Sequence, residues 1–469
     1  MKLLLVSMNF APEPTGIGKY SGEMAHALAA RGFDVRVVCA PPYYPQWQVQ
    51  PGHRSGVYDV RDEAPGLRVI RCPLWVPASP SGIGRLLHMA SFAASSLPVL
   101  LAQARWRPDV VLVVAPALFT APGAWLAARL SGAVAWLHVQ DLEVDAAYSV
   151  GLLSGTLLRR SALALERLLL RRFDRVSSIA GGMLRRLAAK GVPLQRLALL
   201  PNWVDVDGPP GADVDAEAAA LRRALGIAPE AVVCLFSGTL NRKHGLHTLL
   251  QAARQLRRAP LIVFVVCGEG DQRAVLHQAA ADLPALRWLP LQAPERLGVL
   301  LRMADIHLLP QLRSAADLVM PSKLGGMLAS GRPVIAAAHP GTELARVVHG
   351  KGRAVEPESV DALVRAIEAL AGDPGQRAAL GAAGVAHART ALGAQALFDG
   401  LAGQLRAVVA LQRRPCTAAE GGAADLPTRL AWYGPPQAVP RDGRFANANA
   451  NAGANACVSV ATLHDERSR

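Results

Sequence analysis

The sequence predicts an α/β protein built from two doubly wound, Rossmann-like domains that face a central cleft. Apolar runs of four to seven residues alternate with amphipathic segments of ten or more, which is the pattern of parallel sheets with crossover helices. This alternation stops in a stretch rich in Pro, Gly and Asp at 201–218 and resumes at 231. At 469 residues, the chain is also too long for one ordinary core.

The apolar runs give the predicted strands in order. In the first half they lie at 3–6, 34–39, 67–71, 110–114, 133–139, 175–179 and 197–200. In the second half they lie at 231–238, 261–268, 286–291, 305–310 and 332–338. The uncharged run at 110–128 is long enough to span a bilayer, but Pro116 and Pro122 divide it, so we predict a buried strand followed by a helix.

These segments predict the domain organisation. We expect an N-terminal domain at 1–204, an interdomain linker at 205–218, a C-terminal domain at 219–393 and a closing C-terminal helix at 394–414. The remainder, 415–469, contains the low-complexity string FANANANAGANA and predicts disorder. In paired domains of this kind, ligands lie at the carboxyl ends of the strands, so the cleft is the expected site.

A glycine-bearing loop joins the first predicted strand to the first helix. Gly16 and Gly18 stand at the helix start, where free backbone N–H groups and the helix dipole favour an anion such as phosphate. The plainer alternative is a simple turn after Pro14. A nicotinamide dinucleotide site is disfavoured, because Ser21 stands where the third glycine belongs and no acidic residue closes the second strand.

Positive charge is concentrated in the first half of the chain. The formal net charge is +14, of which +10 falls in 1–204 and +4 in 205–414. Such a field suits nucleic acid, anionic lipid or phosphorylated substrates, and a generally arginine-rich composition is the alternative. The six cysteines lack CxxC spacing and predict buried thiols in a reducing compartment. The N-terminus indicates no signal peptide, so we expect a cytoplasmic protein.

The second predicted domain repeats the arrangement of strand, loop and helix. Arg242 and Lys243 lie between the strand at 231–238 and a helix, where a cation and a helix start can meet a phosphate together. An ordinary solvated loop is the alternative. Two loops that are each suited to bind phosphate and that face one cleft suggest a diphosphate bound between them.

Two further loops of this domain are candidates for donor contacts. Ser322 could cap a helix while Lys323 projects near its start, and Met320 with Pro321 would form an apolar shelf. The residues that follow the strand at 261–268 could hold the edge of a nucleoside; they are Gly268, Glu269 and Gly270.

Several strings together resemble the family 4 glycosyltransferases of the GT-B fold. They are PEPTGIGKYSGEMAHALAARGFDVRVVCAPPYYPQW, HVQDLEVDA, PNWVD, SGTLNRKHGL, CGEG, AADLVMPSKL and ASGRPVI, and the resemblance covers roughly 1–410. Within the family, PPYYPQW and AADLVMPSKL are similar to colanic-acid-type exopolysaccharide enzymes described as fucosyltransferases. The resemblance implies a nucleotide-sugar donor held mainly by the second domain, a membrane-linked glycan acceptor facing the first, and metal-independent, retaining transfer.

The resemblance also implies roles for single residues. His138 matches the first-domain histidine near the transferred sugar, and Lys243 matches the lysine that binds the diphosphate, so these two are the expected catalytic residues. Gly16 and Gly18 match the loop near the donor phosphates, and 268–270 match the base-binding loop. A departing diphosphate gains negative charge in the transition state, where a fixed cation stabilises it.

On the acceptor side we expect Lys19 and Asp141. No cofactor and no metal site are expected. The DVD string at 205–207 lies inside PNWVD, which matches the interdomain loop of these enzymes, and no His/Cys cluster has zinc spacing.

Two positions depart from the family pattern. Thr239 stands where most members have an arginine, and Gly326 stands where they have a ribose-binding glutamate, so donor binding must differ in detail. These departures leave open a non-catalytic scaffold in a polysaccharide assembly complex. A nucleotide-sugar epimerase on the same fold is the other alternative.

The segment 156–175 carries six arginines beside a leucine-rich face. It fits a basic amphipathic helix at an anionic membrane surface, and a helix packed on the sheet with a solvated basic face is the alternative. We therefore expect a glycosyltransferase that moves a sugar, with GDP-fucose as a candidate donor, to a polyprenyl-diphosphate-linked oligosaccharide. We also expect it to contact the inner face of the membrane, and we do not expect it to bind nucleic acid.

Overall fold

Eight strands form the sheet of the first domain. The computed structural model describes residues 1–14, 16–78, 82–115, 119–142, 156–206, 213–241, 244–259, 261–313 and 320–413. The strands are β1 (Lys2–Ser7), β2 (Asp34–Cys39), β3 (Asp59–Ala64), β4 (Leu67–Arg71), β5 (Val110–Ala115), β6 (Val134–Val139), β7 (Arg175–Ser178) and β8 (Leu197–Leu199). They follow the order β3-β4-β2-β1-β5-β6-β7-β8, and only β3 runs antiparallel to its neighbour.

Five described helices belong to this sheet. They are α1 (Gly16–Ala30), α2 (Gly82–Ala104), α3 (Ala121–Ser131), α4 (Thr156–Arg172) and α5 (Gly181–Ala189). Helices α2 to α5 contribute to the core on one face of the sheet, through residues such as Phe92, Ala124, Leu170 and Leu187. Helix α1 contributes Met24, among others, to the core on the opposite face. Helices on both faces explain why the central strands are apolar throughout.

Six parallel strands form the second sheet. They are β9 (Val232–Ser237), β10 (Ile262–Cys267), β11 (Leu286–Leu289), β12 (Ile306–Leu309), β13 (Val334–Ala337) and β14 (Gly352–Val355), in the order β11-β10-β9-β12-β13-β14. The accompanying helices are α6 (Val214–Ala224), α7 (Leu246–Gln255), α8 (Arg273–Ala279), α9 (Leu297–Arg302), α10 (Leu324–Ala329), α11 (Glu343–Val348), α12 (Val360–Ala371) and α13 (Pro374–Leu392). The predicted pair of doubly wound domains is confirmed.

The prediction missed two strands, β3 and β14, and both lie at a sheet edge. The four central residues of β3 are exposed, and β14 contains no fully buried residue. An edge strand needs no continuous apolar run, because only part of its surface is covered. The run at 110–128 is a strand followed by a helix, as predicted, because β5 ends at Ala115 and α3 begins at Ala121.

The chain crosses between the domains twice, and the two crossings lie side by side. The Val204 N–H donates to the Leu392 carbonyl at 2.8 Å, and the Ala394 N–H donates to the Val204 carbonyl at 3.2 Å. After the second crossing, a last helix, α14 (Ala394–Gln412), packs on the first domain through residues such as Phe398 and Leu405. The covalent connection between the domains is thus one hydrogen-bonded pair of segments.

Among the described residues, α2 alone is long and apolar enough to cross a membrane. Of its most apolar stretch of 18 residues, 22% is buried. The four described cysteines are free and buried. Burial raises the pKa of the Cys72 thiol to about 12 and that of Cys267 to about 11. The predicted low-complexity tail lies outside the described residues.

Candidate functional site

The two sheets share a feature that marks a ligand site. Strand β1 lies between β2 and β5, and strand β9 lies between β10 and β12, so the strand order reverses direction at both. Ligands of doubly wound sheets bind beyond the carboxyl ends of the strands at such switch points. The loops that follow β1 and β9 are therefore the first places to look for functional groups.

A buried carboxylate organises the loop after β1. Glu13 is 2% exposed, and its Oε1 accepts hydrogen bonds from the backbone N–H groups of Tyr43 and Tyr44, each at 3.0 Å. Its Oε2 accepts from the Asn9 side-chain amide at 2.9 Å. Burial raises the pKa of Glu13, and these hydrogen bonds partly offset that shift. The carboxylate thus ties the loop after β1 to the loop after β2.

The two glycines of the opening loop have different surroundings. Gly16 begins α1 with a φ of +59°, in the left-handed region that favours glycine, and a Cβ there would meet open space. At Gly18, a Cβ would lie 2.6 Å from Glu13 Cβ and Oε2. Gly16 can therefore receive a ligand closely, whereas the missing side chain of Gly18 makes room for Glu13.

Lys19, expected on the acceptor side, lies in the first turn of α1. Its Nζ is 3.7 Å from Glu23 and 5.2 Å from the centroid of the Tyr20 ring. Tyr20 is buried, and its hydroxyl donates to the Ser322 carbonyl of the second domain at 3.4 Å. The start of α1 therefore contacts the segment that contains the predicted donor residues.

His138 is the second-last residue of strand β6 and is buried. It is 2% exposed; its Nδ1 is 2.9 Å from Ser177 Oγ, and its Nε2 is 3.1 Å from the Gln140 side-chain amide nitrogen. Burial lowers the pKa of His138 to about 4, so the ring is neutral at pH 7. The imidazole can donate or accept a hydrogen bond but does not supply a positive charge.

Asp141, the other expected acceptor-side residue, lies near a contact between the two domains. The Tyr44 side chain lies close enough to the Thr239 side chain, and to the charged groups of Asp141 and Arg85, for all three to affect its pKa. Burial is the main reason that the pKa of Tyr44 is raised, with the charge of Glu13 adding to the shift. Thr239, one of the two departures from the family pattern, thus lies beside a side chain of the first domain.

The glycine loops of the second domain pack against each other through their backbones. The Gly238 N–H donates to the Cys267 carbonyl at 2.9 Å, and the Leu240 N–H donates to the Glu269 carbonyl at 2.8 Å. Gly268 and Gly270 have positive φ angles of 152° and 156°, and a Cβ on either would lie within 2.2 Å of a carbonyl oxygen of the neighbouring loop. Only glycine permits this close approach.

Lys323 brings a cation to the same loops. Its Nζ lies 4.2 Å from the centroid of the Phe236 ring, and a Cβ on Gly238 would lie 2.6 Å from that Nζ. Met320 packs against the apolar clusters of both domains. The expectation that Ser322 caps a helix was wrong: Lys323 occupies the N-cap position of α10, no side chain caps it, and the Ser322 carbonyl accepts from Tyr20 instead.

Not every predicted residue can be placed in the cleft. Arg242 and Lys243 lie outside the described residues. Glu269 forms an ion pair with Arg273 on α8 and is partly exposed. At Gly326, a Cβ would lie 3.1 Å from Leu301 Cδ1, so a glycine at this second departure is explained by the packing of α10 on α9.

A further contact between the domains is absent from the sequence prediction. Helix α5 begins with Gly181 and Gly182, and Ala180 at its N-cap has no side chain that can accept their N–H groups. The Glu343 carboxylate of α11 accepts both, with Gly181 N 2.7 Å from Oε1 and Gly182 N bonded to Oε2. The second domain thus caps a helix of the first, which also complements the helix dipole.

The residues missed from sequence are Glu13, Tyr20, Tyr44 and Glu343. Tyr44 belongs to the PPYYPQW string, which is part of the family resemblance but for which the resemblance implies no role. Glu13 is the one acidic residue before Glu23, and it precedes the opening glycines. For Glu343 no local signal existed, because its partner N–H groups lie about 160 residues away.

The arrangement favours an anionic ligand in the cleft. The second domain offers glycine-rich backbone and Lys323, while the first offers the open position at Gly16 and neutral hydrogen-bonding groups. Within the described ranges, no group of three or more His, Cys, Asp or Glu side chains is placed to hold a metal ion.

Comparisons with protein families match both halves of the chain. Residues 15–203 match the family described as "Glycosyl transferase 4-like domain", and residues 217–387 match "Glycosyl transferases group 1". The chain is 44% identical to Escherichia coli (strain K12) WcaI, provisionally named a colanic acid biosynthesis glycosyl transferase. That similarity extends over 378 residues, which are 78% of this chain and 91% of WcaI.

Solved structures share the fold at low sequence identity. Sucrose-phosphate synthase from Thermosynechococcus elongatus superposes with a TM-score of 0.67 at 18% identity, covering 87% of this chain and 99% of that one. Anabaena HepE in complex with UDP and glucose superposes with a TM-score of 0.63 at 17% identity, covering 87% and 100%.

Proposed function

The chain belongs to the family 4 glycosyltransferases of the GT-B fold, and we propose that it transfers a sugar from a nucleoside-diphosphate sugar to a lipid-linked oligosaccharide during exopolysaccharide assembly. The observation that carries this proposal is the 44% identity to WcaI over 91% of that protein's length. GDP-fucose is the first donor to test. The UDP and glucose bound to HepE make UDP-sugars the second class.

On the donor side, the second domain would hold most of the nucleoside diphosphate, and the open position at Gly16 would let the first domain approach its phosphates. The glycine loops after β9 and β10 let an extended ligand approach the backbone, and Lys323 supplies a nearby positive charge. As the glycosidic bond of the donor breaks, charge accumulates on the diphosphate, and a cation already fixed in position stabilises that state. Lys243 is proposed for the same task, on the resemblance alone. Substituting it with alanine should lower turnover sharply.

On the first-domain side, His138 would act as a neutral group. Its ring is held by Ser177, and its other nitrogen adjoins Gln140, so it can fix the position of Gln140 or of a sugar hydroxyl. A neutral imidazole does not compete with Lys323 for the diphosphate. We propose retaining transfer without a metal ion, with Asp141 and Lys19 on the acceptor side.

A membrane-bound acceptor requires that the enzyme work at a lipid surface. Helices α2, α3 and α4 cover the same face of the first sheet, and their outer sides carry exposed leucine and isoleucine side chains, namely Ile83, Leu87, Leu97, Leu126, Leu130, Leu165 and Leu168. Exposed Arg160, Arg167 and Arg171 accompany them on α4. Apolar and cationic groups together fit an anionic bilayer surface, which supports a peripheral location at the cytoplasmic face.

The proposal is tested by nucleoside diphosphate release. Purified protein is incubated with a panel of GDP- and UDP-sugars, with and without polyprenyl-diphosphate-linked oligosaccharides, and the configuration of the product is read by NMR. Release that depends on the acceptor and gives a retained anomer is the expected result. No release with any donor would contradict the transferase, and loss of activity with EDTA would contradict metal independence.

The two alternatives give different signatures in the same assay. An epimerase would exchange substrate protons with solvent without needing an acceptor. A scaffold would bind neither donor class.

Substitution of Lys323 tests its proposed role in the donor site and needs a matched lysine control. Lys351 of the second domain offers one, because its Nζ donates to the His349 carbonyl in a surface loop.

A further inference from the structure

The PPYYPQW segment after β2 has no role in the donor site described above. Its two tyrosine N–H groups are held by the buried Glu13 carboxylate, and the Tyr44 side chain lies beside Thr239 of the second domain. A loop fixed by a buried carboxylate at the carboxyl end of a sheet is an ordered surface, and such surfaces carry binding residues.

Trp47 in this segment has an unfavourable backbone conformation. Its φ is +56°, which a bulky L-residue rarely adopts and which persists only where the surroundings hold it. The ring is half-buried. Tyr43 packs against it edge to face with ring centroids 5.6 Å apart, and His88 packs against it at a tilt with ring centroids 5.2 Å apart. The Arg85 guanidinium lies 5.6 Å from the Trp47 ring centroid. Strain of this kind collects at functional sites.

His88 adds an unmatched polar atom beside the same ring. Its Nδ1 is 2.7 Å from the Trp75 carbonyl oxygen, and the residue is 1% exposed. Within the described part of the chain, the buried Nε2 has no hydrogen-bond partner. An Nδ1 that donates to a carbonyl leaves Nε2 as an acceptor. Buried polar atoms without partners are uncommon, so Trp47 lies beside a polar group that the surrounding packing does not satisfy.

We propose that Tyr44, Trp47 and Arg85 form a subsite for a pyranose ring of the acceptor glycan. The Trp47 ring would pack on the apolar face of the sugar, while the Arg85 N–H groups and the Tyr44 hydroxyl would bond to its hydroxyls. Glu13 is a positioning residue, because it acts on the sugar only through the tyrosine loop. This subsite rests on the proposed glycosyl transfer and names the part of the protein that selects the acceptor.

The location of the subsite suits that task. Tyr44 lies beside Thr239, which follows β9, and near Asp141, three residues beyond His138. A sugar held against Tyr44 and Trp47 would therefore lie on the first-domain side of the point where the two domains meet. Donor contacts at Gly268 and Lys323 belong to the opposite side, so changes in the subsite should alter acceptor use and leave nucleotide binding unchanged.

The test compares matched substitutions within the first domain. Trp47→Leu and Tyr44→Phe remove the ring and the hydroxyl. Their controls are Trp106→Leu, before the amino end of β5 and beside Lys2, and Tyr58→Phe, at an exposed position. The Michaelis constant for polyprenyl-diphosphate-linked oligosaccharide is measured beside the rise in melting temperature that GDP or UDP produces. We expect Trp47→Leu to raise the acceptor Michaelis constant about tenfold. Its nucleotide-induced shift and both controls should stay at wild-type values.

Glu13 provides a second, independent arm. Glu13→Gln keeps an oxygen that can accept the two tyrosine N–H groups, whereas Glu13→Ala removes it. We expect the alanine variant to raise the acceptor Michaelis constant, whereas the glutamine variant should keep it at the wild-type value. An unchanged Michaelis constant in Trp47→Leu, with wild-type turnover intact, would overturn the subsite alone. Absence of turnover by the wild-type protein with every donor would overturn the proposed function itself.

Discussion

The two walls of the cleft are built by different means. The first-domain wall relies on buried polar side chains that bond to one another or to backbone, as Glu13 does with Tyr43 and Tyr44 and His138 with Ser177. The second-domain wall relies on backbone, with Gly268 and Gly270 in close contact with the loop after β9. The first wall therefore has a fixed shape suited to selecting a sugar, and the second exposes main chain and a cation suited to phosphate.

The largest expected effect is on the cation of the second wall. Lys323→Met keeps much of the side-chain volume and removes the charge near Gly238. Because that charge is proposed to stabilise the departing diphosphate, kcat should fall by about a hundredfold to a thousandfold. Steady-state release of nucleoside diphosphate measures it, and Lys351→Met should retain wild-type rates. Equal rates in both variants would remove Lys323 from the mechanism.

A smaller effect is expected when the backbone contact of the second wall is broken. Gly268→Ala would place a Cβ 1.9 Å from the Gly238 carbonyl oxygen at a φ of 152°. The loops must separate, so we expect a loss of about 3 kcal/mol in unfolding free energy and weaker nucleotide binding. Urea denaturation and GDP titration measure the two. Gly298→Ala is the control, because a Cβ there meets no atom within 4 Å.

The contact of Glu343 with α5 tests whether the walls are held together. Glu343→Ala leaves the Gly181 and Gly182 N–H groups without their acceptor, at a cost of about 1–2 kcal/mol. Hydrogen exchange of those two amides should speed up about tenfold. Adding Ala180→Ser to this variant, which supplies a capping side chain at the N-cap position of α5, should slow the exchange again. Glu368→Ala, at an exposed position of α12, should exchange as wild type does; slow exchange in Glu343→Ala would show that this contact is dispensable.

The smallest effect concerns the buried histidine of the first wall. The folded pKa of His138 is about 4 and its ordinary value is 6.5, so between these values the unfolded chain binds the proton and the folded protein does not. Stability from this group is complete above about pH 6.5 and falls with pH toward 4, by about 1 kcal/mol from pH 7.5 to 5.5. The decrease in melting temperature over that range should be smaller in His138→Asn. Equal decreases would mean that His138 titrates normally.

The sequence predicts the fold well where burial is continuous and poorly where it is not. Each central strand appeared as an apolar run, whereas β3 and β14 did not, because edge strands are partly exposed. Gly16 and Gly18 looked alike in sequence, yet Gly18 accommodates Glu13, which depends on a contact that no spacing reveals. Glu343 and Tyr44 were missed for the same reason, since the N–H groups that Glu343 accepts lie in the other domain and the Tyr44 N–H donates to Glu13 on a different loop.

The central claim is that one nucleoside diphosphate is bound by both walls. Hydrogen exchange with and without saturating GDP or UDP tests it most directly. We predict protection on both sides, in the amides at the start of α1 from Gly16 onward and in those of 238–241 and 268–272, with α3 unchanged. Protection in the second domain alone, or in neither set, would contradict a site shared by the two domains.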